Sequence, residues 1–185
     1  PALLLETGME PFKEFVNKDV IDKLADNLKK IHPSFQEGGF KSFIMEQLPE
    51  LELKQRISRV VEGMHQYLTG DYHKDIEILD VLGERVYGSK PDFTAMCLPE
   101  YVSTYGMDHF DFSMNTLERY TIYCSSEFAV RYFIIEDLKK AFEFIYKWKE
   151  SENNHVRRLS SEGARPRLPW GVKLQDLVKD PEPLK

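Results

Sequence analysis

Cysteine is scarce, with only Cys97 and Cys124 in 185 residues. Two cysteines build no disulfide framework, and no paired C-x-x-C is present, so the chain reads as one made for a reducing cytoplasm. No apolar run approaches the ~18 residues that a membrane-spanning helix needs. The apolar residues 2–5 are too few, and lack the basic flank, to read as a secretory leader. No glycine-rich phosphate loop and no G-x-S-x-G elbow occurs, which excludes the phosphate-cradling and serine-hydrolase signatures. No hairpin dipeptide separates alternating segments, so no strand pair is expected.

What remains is a chain with 42% hydrophobic and 30% charged residues, a globular balance and enough length for one sizeable core. Apolar residues recur at the helical period throughout. Asn17 or Asp19 caps a first helix bearing Val20, Ile21, Leu24, Leu28 and Ile31, which His32-Pro33 stops. Phe40 to Leu48, Leu53 to Leu68 and Tyr72 to Leu82 follow, the last with Asp75 and Glu77 facing out. After a loop at 88–93, helices are expected at Leu98–Tyr105, Met114–Tyr123, Ser126–Ile135, Asp137–Lys149 and Asn153–Ser160, with a turn at 106–112. Another helix is expected to start at Asp180 with Pro181 at its first position. Short helices with short connections pack as antiparallel neighbours, in a bundle or an α-solenoid, and no exact repeat decides between them.

The net charge of −6 is unevenly spread. From Lys139 to Lys173 nine basic residues face four acidic ones, giving +5, while the remainder has sixteen against twenty-seven, giving −11. A basic patch on an acidic body suits a polyanionic partner, since binding follows the local field. At its centre stands NHVRRLSSEGARPRLPW, Asn154 to Trp170, with Arg157, Arg158, Arg165, Arg167, His155, Glu162 and Trp170. Arginine forks onto phosphate, tryptophan attracts flat or cationic ligands, and Pro166 and Pro169 stiffen the segment. By itself the stretch says that something anionic and flat binds. Its bland alternative is a solvated helix face with Arg158 and Glu162 as an i,i+4 pair. Trp148, close in sequence, is either core, like the other aromatics of 142–148, or part of the binding groove.

Other candidates are weaker. Asp108-His109-Phe110-Asp111 has no second histidine at ligand spacing, so no metal site is expected. His65 and His73 read as surface. Glu127 follows Ser125-Ser126, which resembles a helix N-cap, and by itself pairs most simply with Arg131 at i+4.

HVRRLSSEGARPRLPW resembles the signature of the AlkC branch of the AlkC/AlkD-type DNA alkylation repair glycosylases. Leu51 to Arg56 (LELKQR), Ser126 to Arg131 (SEFAVR) and Asp180 to Leu184 (DPEPL) support the resemblance in the same order. It implies an all-α solenoid of HEAT-like antiparallel helix pairs over residues 1–185, one domain that lacks C-terminal repeats. It implies excision of cationic N3-alkylated adenine from duplex DNA, with no metal or cofactor and without a full base flip. Glu127 and Glu162 would match the family's catalytic carboxylates, and Arg158, Arg165 and Trp170 its DNA- and lesion-contacting residues. A further catalytic aspartate of the family would lie downstream. Arg157, Arg167 and Trp148 complete the expected DNA-binding set. The chain would act as a cytoplasmic monomer, without membrane or obligate protein partner. The rival readings are a non-catalytic HEAT-like DNA-binding protein and a protein-binding helical scaffold.

Overall fold

The computed structural model describes residues 12–88 and 92–184; the expected loop at 88–93 and the apolar residues 2–5 fall largely or wholly outside them. Among the described residues there is no strand, and the fold is all-helical, as the periodicity requires. The chain divides at Val86/Tyr87 into two compact units.

In the first unit, α1 (Lys18–Ile31), α2 (Glu37–Met45) and α3 (Leu53–Tyr67) pack in succession, and α4 begins at Tyr72 and runs to Tyr87. Asn17 caps α1 by accepting a hydrogen bond from the Val20 amide at 3.0 Å. The apolar stripe of α1 is buried at Ile21, Leu24, Ala25 and Leu28. Gly70 takes φ 74° at the turn into α4, a left-handed conformation that glycine adopts without steric cost. Asp75 does not face out as expected. It is fully buried and accepts from the Thr69 amide and hydroxyl at 2.8 and 2.7 Å, which fixes the entry to α4. The buried Arg56 of α3 donates to the Lys13, Val16 and Leu51 carbonyls, and so holds the 13–16 segment down. His65 and His73 are exposed, as expected.

The second unit contains α5 (Cys97–Tyr105), α6 (Phe110–Tyr120), α7 (Val130–Glu136), α8 (Leu138–Trp148), α9 (Asn154–Gly163) and α10 (Gln175–Lys179). Neighbours in sequence pack together: α5 on α6, α6 on α7, α7 on α8 and α8 on α9. Asp137 caps α8 through the Lys140 amide and Asn153 caps α9 through the His155 amide, both at 2.9 Å. Three boundaries differ from expectation. α6 starts four residues early, because a 3₁₀ turn at Met107–His109 leads directly into it. α7 begins at Val130, so residues 127–129 form a turn before it and not its first turn. The expected start at Asp180 is a 3₁₀ turn, Glu182–Leu184, whose Glu182 amide donates to Asp180 at 3.0 Å.

α7 and α9 meet closely. A Cβ added at Gly163 would lie 2.7 Å from Val130 Cγ1, well inside van der Waals contact. Gly163→Ala therefore should destabilise the protein by about 1–3 kcal/mol through overpacking. Thermal unfolding of the variant checks this, and an unchanged midpoint would mean that the two helices separate freely.

Candidate DNA-lesion site

The site is assembled within the second unit from the turn before α7, the outer face of α9 and the loop that follows α9. The turn is set by Ser126. This fully buried residue donates its hydroxyl to the Leu117 carbonyl at 2.9 Å and its amide to the Thr121 hydroxyl at 3.4 Å. Its own carbonyl receives the Val130 amide at 3.0 Å and starts α7. Glu127 is thereby held in a fixed turn, with its amide on the Ser125 hydroxyl at 3.3 Å.

Glu127 is 7% exposed, and its Oε1 accepts no hydrogen bond. The nearest cation is Arg158 of α9, whose Nη2 lies 2.9 Å from that oxygen but off the hydrogen-bonding direction. The pair is asymmetric: the Arg158 side chain is 63% exposed and the Glu127 side chain 9%. A buried carboxylate is costly in free energy, and the surface arginine offsets part of that cost. The i,i+4 pairings that local spacing suggests, Glu127–Arg131 and Arg158–Glu162, do not form.

Glu162, one turn beyond Arg158, is paired with Arg165 through Nη1–Oε2 at 2.8 Å. That hydrogen bond, with the Glu162 charge, holds the Arg165 pKa above its usual value, and Glu127 adds a smaller electrostatic contribution. A cleft of about 160 Å³ lies against Arg158, lined also by Tyr123, Cys124, Ser125 and His155. Burial first, and the Glu127 carboxylate second, push the Cys124 thiol up to about 12, so this cysteine is not a thiolate nucleophile at neutral pH.

Trp170 is 63% exposed and has φ 66°, a left-handed conformation rare for a bulky residue. Arg167 is exposed in the same loop. Arg157 turns back on the α8–α9 connection, donating to the Ser151 and Glu152 carbonyls at 2.8 Å each. Trp148 corrects the sequence-based expectation. It is 0% exposed and its indole N–H donates to Glu118 Oε2 at 2.8 Å, so it is a core residue tying α8 to α6 and offers no surface to DNA.

One residue central to the site was not anticipated. Arg131 of α7 is fully buried and donates to the Gly163, Arg165 and Pro166 carbonyls at 3.0, 2.7 and 3.3 Å, and through Nε to the Val172 carbonyl. Burial lowers its pKa from the ordinary arginine value. The sequence signals were its place at the end of the SEFAVR segment and an arginine on the otherwise apolar face of Val130, Phe133 and Ile134. Among the described residues no cluster of three His, Cys, Asp or Glu side chains could hold a metal, and Asp111 is paired with Lys140 at 2.9 Å.

Fold and site together define a class: an all-helical repeat protein with buried and half-buried carboxylates, each paired to an exposed arginine, and an exposed tryptophan in the loop that follows α9. The particular kinship follows from comparison. The chain superposes with a TM-score of 0.90 and 35% identity on Pseudomonas fluorescens alkylpurine DNA glycosylase AlkC bound to DNA containing an abasic site analogue, over 95% of this chain and 48% of that one. It is 37% identical over 177 residues to the uncharacterised protein YhaZ of Bacillus subtilis (strain 168), covering 95% of this chain and 48% of YhaZ. No family model matches. The resemblance to the AlkC branch therefore holds in sequence and backbone alike, and the chain spans about half the length of the relatives it matches.

Proposed function

We propose that the protein is a DNA glycosylase that hydrolyses the N-glycosidic bond of cationic alkylated bases, such as 3-methyladenine, in duplex DNA. The observation that carries this reading is the buried Glu127 carboxylate, paired at 2.9 Å with the exposed Arg158, in a chain so similar to an alkylpurine DNA glycosylase. An N3-alkylated adenine is already positively charged. When its C1′–N9 bond breaks, the electron pair leaves with the base, which departs neutral, and no strong general acid is needed. The sugar develops oxocarbenium character, which a nearby negative charge stabilises. Water adds to C1′ and gives up a proton to a carboxylate. Glu127 and Glu162 are the groups for these two roles.

The arginines supply the switch between free and bound states. Arg158 is exposed and can exchange Glu127 for a backbone phosphate. Glu127 is then left to face the cationic nucleotide. Arg165 stands in the same relation to Glu162. Trp170 offers its face to the cationic base, an attraction of about 1–2 kcal/mol when desolvated. Arg157 and Arg167 extend the phosphate contacts. Residues 1–185 act as one glycosylase domain, a cytoplasmic monomer with duplex DNA as its partner and without a cofactor. Among the described residues no helix is long and apolar enough to cross a membrane.

Chromatographic detection of free 3-methyladenine released from methylated duplex tests the activity. Binding without release would favour the non-catalytic DNA-binding alternative. A salt titration tests the phosphate contacts independently. Four arginines neutralising four phosphates predict a ~100-fold loss of affinity between about 50 and 200 mM salt, and a flat response would point to a protein partner instead.

A further inference from the structure

The loop that carries Arg165 and Trp170 lacks regular structure of its own, yet its conformation is demanding. Trp170 sits at φ 66°, where a side chain crowds the following carbonyl and costs roughly 1–2 kcal/mol. Such a conformation persists only where its surroundings over-determine it. The loop's own backbone bonds are few: the Arg165 amide to the Glu162 carbonyl at 3.3 Å, the Gly171 amide to the Leu168 carbonyl at 3.1 Å and the Leu174 amide to the Pro166 carbonyl at 3.0 Å. A further restraint comes from Arg131. Its guanidinium reaches carbonyls on both sides of Trp170, with Gly163, Arg165 and Pro166 before it and Val172 after it. It comes from α7, the helix that Glu127's turn leads into, so one side chain ties the two halves of the site together. Gly171 lets the loop close onto it, since a Cβ there would lie 3.2 Å from Arg131 Cδ and Nε.

We infer that Arg131 is a positioning residue for base excision: its carbonyl-bound guanidinium, packed against Gly171, locks the 163–172 loop so that Trp170 and Arg165 are presented in fixed relation to Glu127. The inference rests on the glycosylase reading of the site and names the device that aligns it. Arginine suits the task because its planar fork spans several acceptors at once, whereas a lysine places one compact charge and satisfies fewer. The Arg131 guanidinium is buried with its donors on carbonyls, so it makes no direct contact with a phosphate. Its substitution is therefore expected to act through geometry and not through DNA electrostatics.

The test uses Arg131→Met, Arg131→Lys and Gly171→Ala in the full chain, with three readouts. These are single-turnover release of 3-methyladenine, affinity for duplex containing an abasic-site analogue, and quenching of Trp170 fluorescence. Trp170 is separable because the other tryptophan, Trp148, is fully buried, and Trp170→Phe supplies the background to subtract. Misplacement of catalytic groups by about 1 Å lowers rates by ~100-fold. Arg131→Met is thus expected to slow release by ~30–100-fold and to raise Trp170 quenching. Arg131→Lys should recover part of the rate, and Gly171→Ala should lose ~3–10-fold. Affinity for the abasic duplex should fall less than the rate does. If Arg131→Met loses helical circular dichroism, Gly171→Ala decides, because it leaves the guanidinium in place. Helical Arg131→Met or Gly171→Ala protein that releases base at the parent rate overturns the inference. Should the parent itself release no base, the glycosylase reading fails, and the clamp is judged by quenching alone: unchanged Trp170 quenching in Gly171→Ala overturns it.

Discussion

Glu127→Gln is expected to slow release of 3-methyladenine by roughly 100-fold or more, while the protein unfolds at nearly the parent temperature. The rate loss follows from the role of the charge. Glutamine keeps the shape of the side chain but cannot stabilise a developing oxocarbenium or accept a proton from water, and loss of one electrostatic group of this kind costs about 10²–10³ in rate. The unchanged stability follows from the geometry. Glu127 is 7% exposed, one of its oxygens accepts no hydrogen bond, and its cation is a surface arginine. When that carboxylate is neutralised, the partner left behind is Arg158, whose side chain is 63% exposed, so no buried charge is stranded and the change in stability is expected to be small. Single-turnover kinetics and a thermal melt on one preparation check both halves. A variant that loses stability and rate together would instead make Glu127 a structural residue. Glu162→Gln should also slow release, by removing the carboxylate that Arg165 now holds.

The second large effect is on stability. Trp148→Ala should destabilise the protein by about 3–5 kcal/mol, the cost of a large cavity. It also leaves the Glu118 carboxylate without the indole donor it has at 2.8 Å. Trp148→Phe fills most of the volume and loses only that hydrogen bond, so it should fold and release base at close to the parent rate. The two variants separate a core role from a DNA-contact role. Were Trp148→Phe to fold normally and lose duplex affinity, its placement as core would be contradicted.

These two residues also show what the sequence made legible. α9 could be read in advance from the Asn153 cap and from the spacing of Val156, Leu159 and Ser160, because a helix's cap and stripe are local properties. The spacing also put Arg158 and Glu162 on one face. Their partners were not legible. Arg158 pairs with Glu127, thirty-one residues earlier in the sequence, and helix periodicity carries no information about contacts at that range. For Glu127 the sequence left an active-site carboxylate at a capped helix start, as the family resemblance implies, against a plain i,i+4 bridge to Arg131. The helix start and the bridge do not form, because the buried hydroxyl of Ser126 holds residues 127–129 in a turn and Arg131 points away into the loop's carbonyls. Trp148 was misassigned as a DNA contact because alternating aromatics spread around a helix without showing which side is covered. α10 was missed because its five residues are too short to display a period, with Leu177 as their only buried member. The left-handed backbone at Trp170 had no sequence signal either; the adjacent Gly171 is the residue one would have chosen for it.

The central claim is that the turn before α7, α9 and the 163–172 loop form a site for cationic alkylated bases. The most direct measurement is release of free base from two duplexes, one methylated to carry 3-methyladenine and one carrying uracil, which is uncharged. An exposed tryptophan and carboxylates without a strong general acid should release 3-methyladenine and leave uracil in place. No release of 3-methyladenine, or release of both bases at comparable rates, would contradict the account.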